Sequence, residues 1–118
     1  MEKFMLSFRS PISAYEAMAS LTQEQMQEEI ASWQTWIGSL IGDNRFDSTG
    51  QLMPEGKIVS AGGSVVTDGP YVELKEVLGG YIIVLANSID EAVELSKGCP
   101  VLTHGGNIEV RPMVPMEF

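Results

Sequence analysis

Asp68 and His104 are the residues of this chain best suited to moving a proton. Asp68 opens the corner Asp68-Gly69-Pro70-Tyr71, and His104, the one histidine, stands in the turn Thr103-His104-Gly105-Gly106. Imidazole titrates near neutral pH, and a carboxylate at a cleft edge can accept a proton or anchor a substrate, so the two form a candidate catalytic pair. Tyr71 would supply a wall or a hydrogen-bond donor beside them. A purely structural reading stands next to this one. Asp68 is suited to bond the backbone of its own turn, Pro70 fixes φ, and Gly69, preceding proline, is pushed toward extended or turn conformations. On that reading the corner simply feeds the next strand, and His104 is an exposed loop residue. Nothing in the spacing shows that Asp68 and His104 meet.

Other chemistries find no support. One histidine and one cysteine cannot build a structural zinc site, and no calcium-loop spacing occurs. Gly62-Gly63 and Gly79-Gly80 lack the spacing of a phosphate loop, and there is no nucleophile-elbow motif. Cys99, between Gly98 and Pro100, reads as a buried small residue rather than a reactive thiol. No metal or cofactor is implied. The net charge of −9 argues against nucleic acid and anionic lipid as partners, since both require a basic surface. The longest apolar run, Tyr81 to Ala86, is strand-sized, far below a membrane span. An unpaired cysteine and the absence of a signal-peptide pattern make the cytoplasm the expected compartment. The length of 118 residues fits one domain, spanning 1–118.

The elements that must position these residues follow from periodicity. Phe4, Leu6 and Phe8 alternate with Met5, Ser7 and Arg9, which predicts a strand ended by Ser10-Pro11. Residues 12–21 read as a connector with a helical turn around Tyr15 to Met18. Thr22 and Gln25 have capping-box spacing, with Leu21 and Met26 as a hydrophobic staple. Met26, Ile30, Trp33, Ile37 and Leu40 then mark one apolar stripe of a helix stopped by Gly42. Asp43 to Gly56 reads as a surface loop anchored by Phe46 and Leu52. Lys57–Ser60 and Ser64–Thr67 read as a hairpin around Ala61-Gly62-Gly63. Gly80–Ala86 reads as a strand, Ser88 with Glu91 as the cap of a second helix ending at Gly98, and Asn107–Arg111 as the last strand. That helix draws its apolar face from Ile89, Ala92, Val93 and Leu95. The order predicts an α+β ferredoxin-like sandwich, an antiparallel sheet with two helices on one face.

Tyr81 to Ala86 is apolar at every position, so both faces of that strand should be covered. Two helices cover only one face. A second copy of the chain is the expected cover for the other, giving a homodimer, with the C-terminal tail as the alternative. Ser7, Arg9, Glu109 and Arg111 should point into that second face. Charges there must be paired or meet a ligand, so Arg9, Glu109 and Arg111 are candidate ligand-binding residues beside Tyr71, with a self-satisfying Arg–Glu pair as the simpler reading.

The stretch Asp68-Gly69-Pro70-Tyr71-Val72-Glu73-Leu74-Lys75-Glu76, followed by Leu78-Gly79-Gly80-Tyr81, resembles the signature of the DGPF (DGPFAETKE) family, a branch of the YCII-related proteins. The resemblance extends to Thr22–Met26, to Cys99-Pro100 and to Gly106–Pro112. Tyr71 stands where the family usually has phenylalanine, and Leu74 where it usually has threonine. It implies a ferredoxin-like fold assembled as a dimeric α/β barrel. It implies no reaction, although related proteins are suspected of catalysis through a His/Asp pair, and remoter ones include isomerases and monooxygenases. Proximity of family members to extracytoplasmic-function sigma factors hints at regulation.

Two functions therefore stand open. One is a dimeric α/β-barrel protein that binds a small organic molecule in an Asp-containing cleft, with catalysis an open question. The other is a non-catalytic regulatory or protein-interaction module. The first needs a concave pocket with convergent polar groups, and the second an apolar patch outside the dimer seam. Trp36, at the edge of the helical stripe, would serve as a pocket wall in one and a contact surface in the other.

Overall fold

The computed structural model describes residues 1–53, 55–69 and 76–116, apart from the side chain of Tyr15. Strand β1 (Glu2–Pro11) buries Phe4, Leu6 and Phe8 and leaves Met5, Ser7 and Arg9 half-buried, the alternation its sequence calls for. It lies inside the sheet, antiparallel to β5 (Glu76–Ala86) on one side and to β6 (Asn107–Pro112) on the other. β2 (Phe46–Gln51) pairs with the far edge of β5, so the open four-stranded sheet runs β2-β5-β1-β6. Three helices, α1 (Ile12–Ala17), α2 (Gln23–Gly42) and α3 (Ile89–Ser96), complete a mixed α+β architecture. β3 (Gly56–Ser60) and β4 (Val65–Gly69) form a separate two-stranded ribbon. No helix among the described residues is long and apolar enough to cross a membrane.

α2 begins as its capping box dictates. The Thr22 hydroxyl accepts from the Gln25 N–H at 3.1 Å, and the Gln25 side chain accepts from the Thr22 N–H at 3.0 Å. Such a cap contributes about 1 kcal/mol. The stripe it launches is only half a core face. Leu40 is buried and Trp33 and Ile37 pack against the core, but Met26 and Ile30 are exposed. Periodicity marks which side of a helix is apolar, not how far a partner extends beneath it, and the first turns of α2 run past the core. Trp36 instead belongs to the interior at 6% exposure. Its indole N–H donates to the Leu95 carbonyl at 3.0 Å, and it meets Phe8 and Trp33 edge-on with centroids 6.1 and 5.9 Å away.

Asp43 to Gly56 is not a loop throughout, because residues 46–51 pair with β5. Phe46 packs against the core as an anchor, whereas Leu52 is exposed. The Tyr81 ring lies over Gly50, where a Cβ would sit 2.7 Å from it and push the ring aside. β5 starts earlier than its apolar run, at Glu76, with a register shift opposite Phe8 and Arg9. Ile82, Val84 and Ala86 are fully buried against the helical layer, while Tyr81, Ile83 and Leu85 are half-buried on the opposite face.

In α3 the Ser88 hydroxyl accepts from the Glu91 N–H at 3.2 Å as expected, but the reciprocal half of the box is absent. The Glu91 carboxylate instead pairs with Arg45 and accepts from the Asn87 N–H at 3.4 Å, so the nearby cation redirects it. Ala92 and Leu95 face the core, whereas Ile89 and Val93 are exposed. The ribbon turns through Ala61, Gly62 and Gly63, all at positive φ, and pairs Val59 with Val66 across it, both exposed. Among the described residues it packs on itself and its own turn rather than on the sheet. The radius of gyration of 15.9 Å accordingly exceeds the roughly 13.5 Å of a compact chain this long.

Candidate functional site

α1, the turn Met18–Ser20, the first half of α2 and the turn Pro100–His104 enclose an open cleft of about 500 Å³. Ala14, Met18 and Leu21 form its apolar wall, α2 contributes Glu28 and Glu29, and the Pro100–His104 turn contributes His104. Pro100 at the start of that turn and Gly105 at its end set where His104 projects. Gly105 has φ +77°, a left-handed conformation that glycine adopts without strain.

Glu29 is the centre of the site. One carboxylate oxygen bonds His104 Nε2 at 2.7 Å, and the other accepts from the Trp33 indole N–H at 2.9 Å. Trp33 lies one helical turn beyond Glu29, where i and i+4 side chains meet, and is itself wedged against Phe8 and Trp36. Glu29 is thus held from two sides with its side chain 13% exposed, while His104 is 48% exposed. An ionised carboxylate offers only acceptors, so the proton of a neutral His104 sits on Nε2 and leaves Nδ1 with a free lone pair. The hydroxyls at the cleft are committed elsewhere: Ser32 donates to the Glu28 carbonyl at 3.1 Å and Thr103 to the Pro100 carbonyl at 2.7 Å. Neither is set up as a nucleophile.

Cys99 lies close by and is inert. Burial pushes its thiol up to about 12, the Val101 backbone N–H opposes that, and the Glu29 carboxylate adds to it. The folded chain therefore keeps a proton that an unfolded thiol of pKa 9.0 loses, and stability should decline as pH rises from about 9 toward 12. Iodoacetamide at pH 8 is expected to alkylate Cys99 on the order of 10³-fold more slowly in the native than in the urea-unfolded protein. Equal rates would show that the thiol is accessible and ionisable.

The other sequence candidates are dispersed. Asp68 sits on β4 with its side chain 84% exposed and paired with Lys57 across the ribbon, so His104 and Asp68 have separate partners. Tyr71 lies outside the described residues. Arg9 and Glu109 face each other at 3.7 Å on the half-buried side of the sheet, where Arg111 stands opposite Met5 with no partner among the described residues. Glu29 and Trp33 escaped sequence reasoning as site residues. Their i, i+4 spacing at the border of the apolar stripe was the available signal.

The YCII-related domain matches residues 42–117. An uncharacterised protein of Rhizobium meliloti (strain 1021) is 31% identical over 58% of this chain, and the match spans 64% of that protein's length, less than two-thirds of it.

Proposed function

This chain belongs to the YCII-related family, and from that premise we propose that it binds a small organic molecule in the α1–α2 cleft and uses His104 as a general base. The observation that carries this is the Glu29 carboxylate bonded at once to Trp33 and His104 at the cleft wall. Glu29 orients the imidazole and stabilises the imidazolium that forms when Nδ1 takes a proton. Trp33 keeps Glu29 from turning away. With no activated hydroxyl among the described residues of the cleft, the chemistry this arrangement suits is proton abstraction from an activated C–H, not acyl transfer. The carboxylate of this reading is Glu29; Asp68, engaged by Lys57, has no part in it.

The protomer fits a ferredoxin-like sandwich, a reading supported by the strand order β2-β5-β1-β6 and by helices between β1 and β2 and between β5 and β6. The Asp68–Glu76 stretch supports placement in the DGPF branch. A homodimer built sheet to sheet, as in a dimeric α/β barrel, is supported by the face that carries Met5, Tyr81, Ile83 and Leu85 away from the helices. The exposed Val59–Val66 pair favours a second reading, in which the ribbon serves a protein partner.

The test is deuterium exchange at carbon in D₂O, followed by proton NMR over a panel of 2-oxo acids, 1,3-dicarbonyls and aminoketones. Wild-type protein is expected to accelerate exchange in at least one, with His104→Gln lowering the rate about 10²–10⁴-fold. No acceleration across the panel, or equal rates in wild type and variant, would remove the general-base role.

A further inference from the structure

The hydrogen-bonding inventory of the cleft says which kind of molecule fits it. Ser32 and Thr103 spend their hydroxyl protons on backbone carbonyls, leaving lone pairs toward any ligand. Glu28 presents a carboxylate with no side-chain partner among the described residues, and His104 Nδ1 adds a further acceptor. The Gln25 side-chain carbonyl oxygen is taken by the Thr22 N–H, so the Gln25 amide N–H₂ is the one neutral side-chain donor left on the lining among the described residues. No lysine or arginine lines the cleft among the described residues. Even a protonated His104 is offset by the Glu29 it bonds, with Glu28 in excess. Lys3, Arg9 and Arg111 lie on strands β1 and β6, with Arg9 engaged by Glu109 and Lys3 by Asp47.

We infer that the cleft takes a small organic cation, a protonated amine whose ammonium group is received by Glu28 and the acceptors around it and whose apolar body lies on Ala14, Met18 and Leu21. This rests on the reading of the cleft given above and narrows its substrate class. A carboxylate or phosphate ligand would bring a like charge within several ångströms of Glu28 with no lysine or arginine among the described lining residues to offset it, a repulsion of about 1 kcal/mol in water and more where solvent is displaced. An ammonium supplies three N–H donors to a site built of acceptors and removes that mismatch. The net charge of −9 works in the same direction by drawing cations toward the surface.

The probes are n-butylammonium and butyrate, equal in chain length and opposite in charge, titrated into ¹⁵N-labelled protein. The indole N–H of Trp33 and the His104 ring report the cleft. Butylammonium is expected to shift both signals saturably and butyrate to shift neither at the same concentration. Glu28→Gln, confirmed folded by circular dichroism, should weaken butylammonium about two- to fivefold. Butyrate binding as well as or better than butylammonium at these signals would overturn the cation assignment and leave the cleft as a ligand site. Silence from both probes, or an unchanged affinity in Glu28→Gln, would also overturn it, while the exchange assay above decides the general-base reading independently.

Discussion

Trp36→Ala is expected to cost about 3–5 kcal/mol of unfolding free energy and to lower Tm by roughly 10–25 °C. Three losses add at one position. A large side chain leaves a site where it is 6% exposed, its edge contacts with Phe8 and Trp33 vanish, and the Leu95 carbonyl loses its donor. Collapse around the hole is limited because Trp33 is already fixed by Glu29 and by Phe8. Trp36→Phe separates the terms, since it keeps most of the ring volume and forfeits the N–H, so it should cost only about 1–2 kcal/mol. Urea denaturation of both variants measures this. A loss under about 1 kcal/mol for the alanine variant would mean that Trp36 does not anchor α2 to α3.

In the proposed sheet-to-sheet dimer, Ile83→Asp is expected to separate the chains into monomers while leaving the protomer folded. Ile83 sits mid-face in β5, between Met5 of β1 and Ser48 of β2, pointing away from the buried Ile82 and Val84. A carboxylate there stays partly solvated in a free protomer, so circular dichroism should keep the folded signature while Tm falls by only about 5–10 °C. In a sheet-to-sheet seam the same carboxylate is desolvated and unpaired, at a cost of several kcal/mol, which raises Kd at least about 10³-fold. Sedimentation velocity over a concentration series reads the outcome. A wild-type monomer would refute the assembly, and a variant that stays dimeric would move the seam off this face.

What could be read from residues alone was what local chemistry determines. Phe4, Leu6 and Phe8 alternate because a pleat does, and Thr22 with Gln25 closes a cap from within four residues. β2 was hidden because Phe-Asp-Ser-Thr-Gly-Gln has neither alternation nor β-branched density; it is a strand because β5 offers it an edge. The proposed site was hidden for the same kind of reason. Glu29 looks like any polar residue of an acidic helix until a turn 75 residues away brings His104 to it. Asp68 attracted notice through its corner, yet β3 and β4 close into a ribbon that occupies it with Lys57. The helical turn expected around Tyr15 to Met18 is present but begins earlier, at Ile12, and the ion pair that diverts Glu91 from its box was a matter of tertiary context.

The position of β1 between β5 and β6 also bears on how the chain is made. Leu6 is synthesised well before its sheet partners, Ile82 and Val110. At 5–20 residues per second, Phe4, Leu6 and Phe8 wait about 5–20 s as an unpaired sticky strand before the last neighbour emerges. The nascent chain therefore exposes this apolar strand until β5 and β6 emerge, and α2, capped and locally encoded, is the element that can form in the interval.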